Sequence, residues 1–281
     1  MIKVISPGIF SSIQDEGRFG FAHFGIPTSG AMDVQSLHLA NAILNNELNA
    51  AAIEITYGNV KFEFLQACEI CVSGANFSPH VNGKPISLNK RVHIQRGGIF
   101  SLEKRVYGLR TYLAIQGGIN SEKVFGSRSF YKGITTESNL KKGDIIDVFN
   151  SNKRASMNNY SRFKIDLEHF KSSEIECFQG PEFHLLTNEE QTKLLNSEFT
   201  ISPKNSRMGY MLSEKIENEL PSILSSGVLP GTVQLTPSGE LIILMRDCQV
   251  TGGYPRVLQL TASAVNRLAQ KTTGEKVVLK I

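Results

Sequence analysis

Turn-forming residues interrupt this chain so often that long regular elements are excluded. Twenty-four Gly and ten Pro are scattered along 281 residues, and between them lie short runs rich in Val, Ile, Phe and Thr. Runs of that length and composition suit strands, whereas core helices need about ten residues or more. Val60, Phe62 and Phe64 alternate with Lys61 and Glu63, which gives one buried face at the two-residue repeat of a strand. The order of elements lacks the strand–helix alternation of a doubly wound parallel sheet. The expected fold is mainly β: two β-barrel-like halves, 1–150 and 151–281, each with about one main helix.

Residues 2–5 read as the first strand, stopped by Pro7-Gly8. A Gly-rich polar stretch over 14–33 follows, and Phe19, Phe21, Phe24 and Ile26 within it suggest an ordered loop packed against the body. Asp33 can cap a helix to about Asn45, whose apolar face is Val34, Leu37, Ala40, Ile43 and Leu44. Residues 51–56 and 60–65, separated by Tyr57-Gly58-Asn59, read as a β-hairpin. Further strands are predicted at 69–73, 92–95, 99–102, 111–116 and 145–149. The polar stretch 150–162 marks the boundary between halves. Beyond it, Thr187-x-x-Glu190 is a capping box opening a helix through Leu195. Strands are expected near Phe199 and over 209–212, 232–235, 240–245 and 256–260. Thr261 can cap a helix through Gln270, and 277–281 close the chain as a strand.

A hydrophobic share of 41% and a charged share of 20% are ordinary globular values. The net charge of +4 is unevenly laid out: 84–110 holds seven Lys or Arg against Glu103, and 166–198 holds eight Asp or Glu against Lys171 and Lys193. Such a layout can orient an anionic substrate or a complementary subunit, or simply form two solvated loop regions. The basic stretch lacks a recognised module and interleaved aromatics, so nucleic acid is not an expected partner. No apolar run reaches the ~18 residues of a membrane span, and the N-terminus carries no run suited to a signal peptide. No membrane partner is therefore expected. Cys68 and Cys71 form a C-x-x-C pair in a predicted strand, where residues three apart face opposite ways, and no second pair follows. Buried, reduced thiols and a cytoplasmic location are the expectation.

The common catalytic signatures fail. No P-loop is present, because Gly83-Lys84 is followed by Pro85, and no nucleophile elbow, zinc helix or dinucleotide fingerprint occurs. What remains are polar residues in Gly-rich loops, where backbone can approach a ligand closely. Loop one carries Gln14, Asp15, Arg18, Ser29, Gly30 and Asp33. Loop two carries Gly117, Gly118, Ser127, Arg128 and Ser129. Loop three carries Ser206, Arg207 and Gly209, and loop four carries Asp247, Thr251, Gly252, Gly253, Tyr254 and Arg256. Arg forks two donors onto a carboxylate or phosphate, and a Gly pair can expose N–H groups to an oxyanion. The competing reading for each loop is internal: Asp15 pairing Arg18 locally, Asp33 as a helix cap, and 251–255 as a tight turn.

The strings QDEGRFGFAHFGIPTSGAMD, IEITYGNVKFEF, YLAIQGGI, GSRSF, SRMGYML and TGGYPRVLQL stand in this order along the chain. Together they resemble the family of 5-oxoprolinase C subunits, also called allophanate hydrolase subunit 2 or biotin-dependent carboxyltransferase-like. The resemblance runs from residue 3 to the C-terminus. It implies cyclophilin-like β-barrel architecture in both halves and a partner of the 5-oxoprolinase B-subunit type. It further implies a share in ATP-dependent cleavage of 5-oxoproline to glutamate with a third, hydrolase subunit, or in carboxyl transfer from carboxybiotin to urea. One related member is named for antagonising an inhibitor of a sporulation kinase. The chain departs from the family pattern in three places. The stretch after Ser129 lacks an Arg, Ser206 stands where the family has Asp, and Met211 stands where it has Arg.

The leading expectation is thus a subunit of an ATP-dependent 5-oxoprolinase, acting only with partner subunits on a small amide. A lactam is a poor electrophile near neutral pH, so phosphorylation of its oxygen would open the ring carbon to water. Asp15, Arg18, Arg207 and Asp247 are the candidate catalytic residues. Ser29, Gly30, Asp33, Gly117, Gly118, Ser127, Arg128, Thr251, Gly252, Gly253 and Tyr254 are the candidate substrate or nucleotide contacts. ATP and Mg are expected in the complex, with Asp15 or Asp247 a candidate carboxylate for the ion but no ligand set assigned. No biotinyl-lysine motif is present, so biotin would arrive on a partner protein, in a urea carboxylase-type reaction. A non-catalytic, partner-binding regulatory subunit is the third reading. The enzymatic readings require the four loops to share one anion-receptive pocket.

Overall fold

The computed structural model describes residues 1–149 and 166–281. The expected boundary at 150/151 and the polar stretch around it lie outside the described residues. The chain divides into two units: Met1–Arg18 with Asp33–Phe170, and Phe19–Met32 with Lys171–Ile281.

In unit 1, alternation of apolar and polar residues sets the strands: β1 (Ile2–Pro7), β2 (Phe10–Gln14), β3 (Ala52–Thr56), β4 (Val60–Phe64), β5 (Cys68–Asn76), β6 (Pro79–Val81), β7 (Lys84–Pro85), β8 (Arg91–Ile94), β9 (Ile99–Leu102), β10 (Tyr107–Ile115) and β11 (Ile145–Ile146). They form a six-stranded sheet ordered β11-β1-β4-β9-β6-β7 and a five-stranded sheet ordered β2-β3-β10-β5-β8. Both sheets contribute to one core, with Val4, Phe62, Phe64 and Phe100 from the first and Ile13, Ile53, Val72 and Leu113 from the second. Phe62 lies opposite Phe100 across β4 and β9, their rings stacked with centroids 6.4 Å apart, worth ~1 kcal/mol beyond burial. Helix α1 (Val34–Leu44) begins at Asp33, whose side chain accepts from the Ser36 N–H, and packs on β5 and β10.

The expected hairpin over 51–65 is a correction. β3 pairs with β2 and β10, whereas β4 pairs with β1 and β9. Tyr57, Gly58 and Asn59 all take left-handed conformations, at φ 64°, 58° and 56°, and this turns the chain from one sheet into the other. Gly58 is also pressed against Phe77, where a Cβ would lie 2.6 Å from the ring. β11 is correspondingly shorter than the strand expected over 145–149.

The chain passes out of unit 1 through α2 (Glu168–Lys171). Unit 2 then holds β12 (Glu174–Gln179), α3 (Asn188–Asn196), β13 (Glu198–Asn205), β14 (Gly209–Lys215), β15 (Ser226–Gly227), β16 (Thr232–Leu235), β17 (Glu240–Leu244), β18 (Thr251–Gly252), β19 (Arg256–Leu260), α4 (Ala262–Leu268) and β20 (Lys276–Lys280). Seven strands close into a barrel ordered β12-β19-β16-β17-β14-β13-β20. β20 completes the ring by pairing parallel to β12 and antiparallel to β13. The core holds Ile175, Phe199, Tyr210, Val233, Ile243 and Leu258, joined by Ala264, Val265 and Leu268 of α4 and by Met32 from the early segment. The capping box of α3 is present, with Thr187 and Glu190 satisfying each other's backbone N–H. β12 was hidden in the acidic stretch: Glu174 and Glu176 are exposed while Ile175 and Cys177 are buried. Part of the acidic field is therefore one solvated strand face. Phe19 and Phe24, expected to pack against the body, are about two-thirds exposed.

All four cysteines are free. Burial pushes the thiols of Cys68, Cys71 and Cys248 up to about 12 and that of Cys177 to about 11, so they stay protonated and poorly nucleophilic. Among the described residues no helix is long and apolar enough to cross a membrane.

Candidate functional site

Strand alternation builds a groove on the outside of the unit 2 barrel. Gly209 lies opposite Leu244, Met211 opposite Ile242, and Gln234 opposite Ile242. Their neighbours Tyr210, Ile243 and Val233 point into the core, so these residues make the outer face. The segment 249–254 closes over them and leaves a cavity of ≈ 320 Å³. Met211, Ile242 and Leu244 form an apolar floor, and Lys204, Ser206, Gln234, Gln249 and Tyr254 supply polar edges. Gly252 lets the backbone approach the Gln234 carboxamide closely, since a Cβ would sit 2.5 Å from Nε2 of Gln234, which would then have to shift. Gly253 lines the cavity as well, whereas Thr251 is exposed and pairs with Gly227.

Between Ser206 and Met208, which both line this groove, Arg207 turns away onto Asp247. Its Nε and a terminal nitrogen donate to the two Asp247 carboxylate oxygens at 2.8 and 2.9 Å. Its guanidinium also donates to the Gly30 carbonyl at 2.6 Å. The Ser29 hydroxyl adds a bond to Asp247 at 2.7 Å. Ser29 and Gly30 occupy left-handed conformations at φ 55° and 93°, which aims that hydroxyl and carbonyl at the pair. Four expected site residues thus form one nearly buried lock behind the groove wall. A bidentate Arg–carboxylate pair of this kind fixes geometry strongly.

Loops one and two meet inside unit 1. One Asp15 carboxylate oxygen accepts from the Gly17 N–H at 2.8 Å, the Ser127 hydroxyl at 2.5 Å and the Ser129 hydroxyl at 2.6 Å; the other accepts from the Arg128 N–H at 2.6 Å. Arg18, 1% exposed, donates to the Ser129 carbonyl. Arg128 reaches the Ser121 carbonyl and covers the Phe149 ring at 5.1 Å. The Gly117 and Gly118 N–H groups donate to Asn46 and to the Ile115 carbonyl, so they are occupied within the fold. Asp33 accepts from Ser36 and lies 2.9 Å from Nε2 of His169. Its N–H donates to Tyr112, whose hydroxyl donates to Glu54 at 2.7 Å. Burial, together with the Glu54 and Asp33 charges, holds the Tyr112 hydroxyl protonated far above its ordinary range.

Sequence reasoning missed Lys204, Gln234, Gln249 and His169. Gln234 carried a signal, since a polar residue between Val233 and Leu235 marks an outward position that is nevertheless buried. Arg256, placed in loop four, instead forks onto Glu182 at 2.7 and 2.9 Å. The hydrogen bond from Arg256 is the main reason the Glu182 carboxyl lies below its ordinary range. A carboxyl depressed in the folded state adds stability above its unfolded pKa of ~4.3, and that contribution fades as pH falls through the folded value. Glu182→Gln should therefore flatten the acid limb of the stability profile. Urea midpoints from pH 7 down to 3 check this; parallel curves for the two proteins would exclude it.

The family model for the carboxyltransferase domain, subdomain A and B, matches residues 24–281. The chain belongs to that family. This carboxyltransferase-domain chain is 33% identical to the 5-oxoprolinase C subunit of Escherichia coli K12, over 99% of its own length and 90% of the relative's. It is 30% identical to the Haemophilus influenzae protein of the same name, again over 99% and 90%. It superposes on the solved urea amidolyase of Kluyveromyces lactis with a TM-score of 0.84 at 25% identity, covering 99% of this chain but 18% of that one.

Proposed function

We propose that this chain is the amide-binding subunit of an ATP-dependent 5-oxoprolinase complex, working with a partner of the B-subunit type and a hydrolase subunit. The anion-receptive pocket expected from all four loops does not carry the reading, since Arg18, Arg128 and Arg207 are each held on oxygens of the fold. The barrel groove carries it instead, with one ammonium at its rim, carboxamides at its wall and an apolar floor. Those groups match a small ring that bears a carboxylate and an amide edge. Lys204 would take the carboxylate, Gln234 would offer a donor and an acceptor to the lactam, and Met211 with Ile242 would hold the ring carbons. The relatives named as 5-oxoprolinase C subunits, matched over nearly their full length, support the choice of substrate class.

The groove does not fit ATP with magnesium. Among its lining residues Lys204 is the only permanent cation and none is a carboxylate. Among the described residues no group of three or more His, Cys, Asp or Glu is placed to hold a metal ion. The nucleotide is assigned to the partner subunits. This chain's part is to seat the lactam and exclude water from its apolar side until the ring is activated.

Reconstitution with the products of adjacent genes tests the reading. 5-Oxoproline should stimulate ATP hydrolysis and yield glutamate. Lys204→Ala should raise KM about tenfold with kcat largely kept, because a carboxylate held equally in ground and transition states affects binding alone. An unchanged KM would remove the groove from the site. The second reading, carboxyl transfer to urea from a biotin-bearing partner, is favoured by the carboxyltransferase family match and the urea amidolyase superposition. Urea-dependent consumption of carboxybiotin, with no response to 5-oxoproline, would decide for it. Tight partner binding without turnover of either amide would leave the regulatory role.

A further inference from the structure

Unit 1 contains a cavity of ≈ 340 Å³ on the face of the five-stranded sheet that α1 covers. Strand alternation decides which β5 side chains reach it. Val72 belongs to the core of unit 1, so Ser73 points the other way, beside its β10 partner Tyr112. The Asn89 N–H donates to the Val72 carbonyl at 2.8 Å, which seats Asn89 against β5 next to Ser73. Both residues line the cavity. Ser73 is 1% exposed, and its hydroxyl has no hydrogen-bond partner among the described residues; nor has either polar atom of the Asn89 carboxamide. Buried polar groups without partners cost stability. These three atoms therefore mark a place for a ligand that satisfies a hydroxyl, an acceptor and a donor.

The charges around the cavity give that ligand its sign. Asp166 lines it, and no Lys or Arg does. One Asp166 carboxylate oxygen accepts from the Glu168 N–H at 2.9 Å, leaving the other for a ligand. The two lining imidazoles each lie against a further carboxylate, His38 at 2.5 Å from Glu16 and His169 at 2.9 Å from Asp33. Of the cations that follow Asn89 in sequence, Lys90 is exposed and Arg91 donates to the Ile43 carbonyl. Three carboxylates thus surround the site, a setting that repels a carboxylate or phosphate and attracts a cation. Among the described residues no group of three or more His, Cys, Asp or Glu is placed to hold a metal ion, so the cation is organic. Leu39, Leu48 and Phe170 offer apolar surface for its carbon chain.

We propose that this cavity binds a small aliphatic primary ammonium that carries an oxygen on the adjoining carbon. Asp166, Ser73 and the Asn89 side-chain carbonyl accept the three ammonium N–H bonds, and the Asn89 NH₂ donates to the ligand's oxygen. The site is independent of the barrel groove, whose one charged lining residue is the cation Lys204. The probe is leucinol, followed by ligand-observed NMR on the full chain. It should saturate. Isohexanol, the same carbon chain without the ammonium, should bind at least about tenfold more weakly, because a site built to hydrogen-bond an N–H discriminates strongly against its loss. Asp166→Asn should weaken leucinol binding about tenfold and leave isohexanol unchanged. Ser73→Ala should weaken leucinol binding about fivefold. A flat titration, equal binding of the two probes, or unchanged leucinol affinity in Asp166→Asn would each overturn the proposal. Displacement of leucinol by 5-oxoproline would also overturn it. The comparison of probes uses the unmodified protein, so it stands even if a variant fails to fold. Failure of 5-oxoproline to stimulate ATP hydrolysis would bear on the groove alone.

Discussion

Asp247→Ala should lower the melting temperature by roughly 6–20 °C, the largest effect expected from any single loop residue in unit 2. The Asp247 side chain is 12% exposed and accepts from Ser29 and twice from Arg207. Removing it takes from a guanidinium whose side chain is itself only 10% exposed the carboxylate it forks onto. Breaking a buried pair by deleting one partner costs about 3–5 kcal/mol, a large part of a typical total stability of about 5–15 kcal/mol. The groove should suffer too, because Ser206 and Met208 flank the anchored Arg207. The double replacement Arg207→Met with Asp247→Leu should recover part of the loss, since a neutral pair leaves no orphaned charge. Calorimetry on the three variants provides the check. A fall of under about 3 °C for Asp247→Ala would place the pair in the class of weak surface bridges.

The second large effect is expected at Asp15. Its carboxylate acts only as an acceptor, and the four donors around it come from Gly17, Ser127, Arg128 and Ser129. Hydrogen bonds to a charged group are worth about 1.5–3 kcal/mol each and do not add fully. Asp15→Ala should therefore cost on the order of 4 kcal/mol. Asp15→Asn should cost nearly as much, because its NH₂ would face a donor. Urea denaturation with amide exchange at residues 127–129 reads both. A direct part for Asp15 in chemistry predicts the reverse: Asp15→Asn would fold normally and lose kcat. Only the second pattern would keep Asp15 among catalytic residues.

These two clusters also show what the sequence can and cannot reveal. Local grammar was legible. Asp33, Thr187 and Thr261 each cap the expected helix, and Val60, Phe62 and Phe64 face the core as their alternation requires. The structure joins residues of the four loops in pairs: loop one's Asp15 with loop two, and its Ser29 with Asp247, 218 positions away. Which way a side chain turns was not legible. Ser206, Arg207 and Met208 are consecutive, yet two face a groove and one is consumed in a lock. Nor was sheet membership, because three left-handed residues at 57–59 can close a hairpin or carry the chain between sheets, and only distant strands decide.

The early segment Phe19–Met32, which belongs to unit 2 although its sequence neighbours belong to unit 1, has a consequence for synthesis. Met32, Ser29 and Gly30 leave the ribosome long before Arg207, Asp247 and the barrel strands that receive them. Until the last strand is made, this stretch is without its partners, and closing so long a loop delays folding. Cutting the gene near its middle would strand these residues on the wrong fragment, so the later fragment should not complete its native core unless the earlier one is supplied.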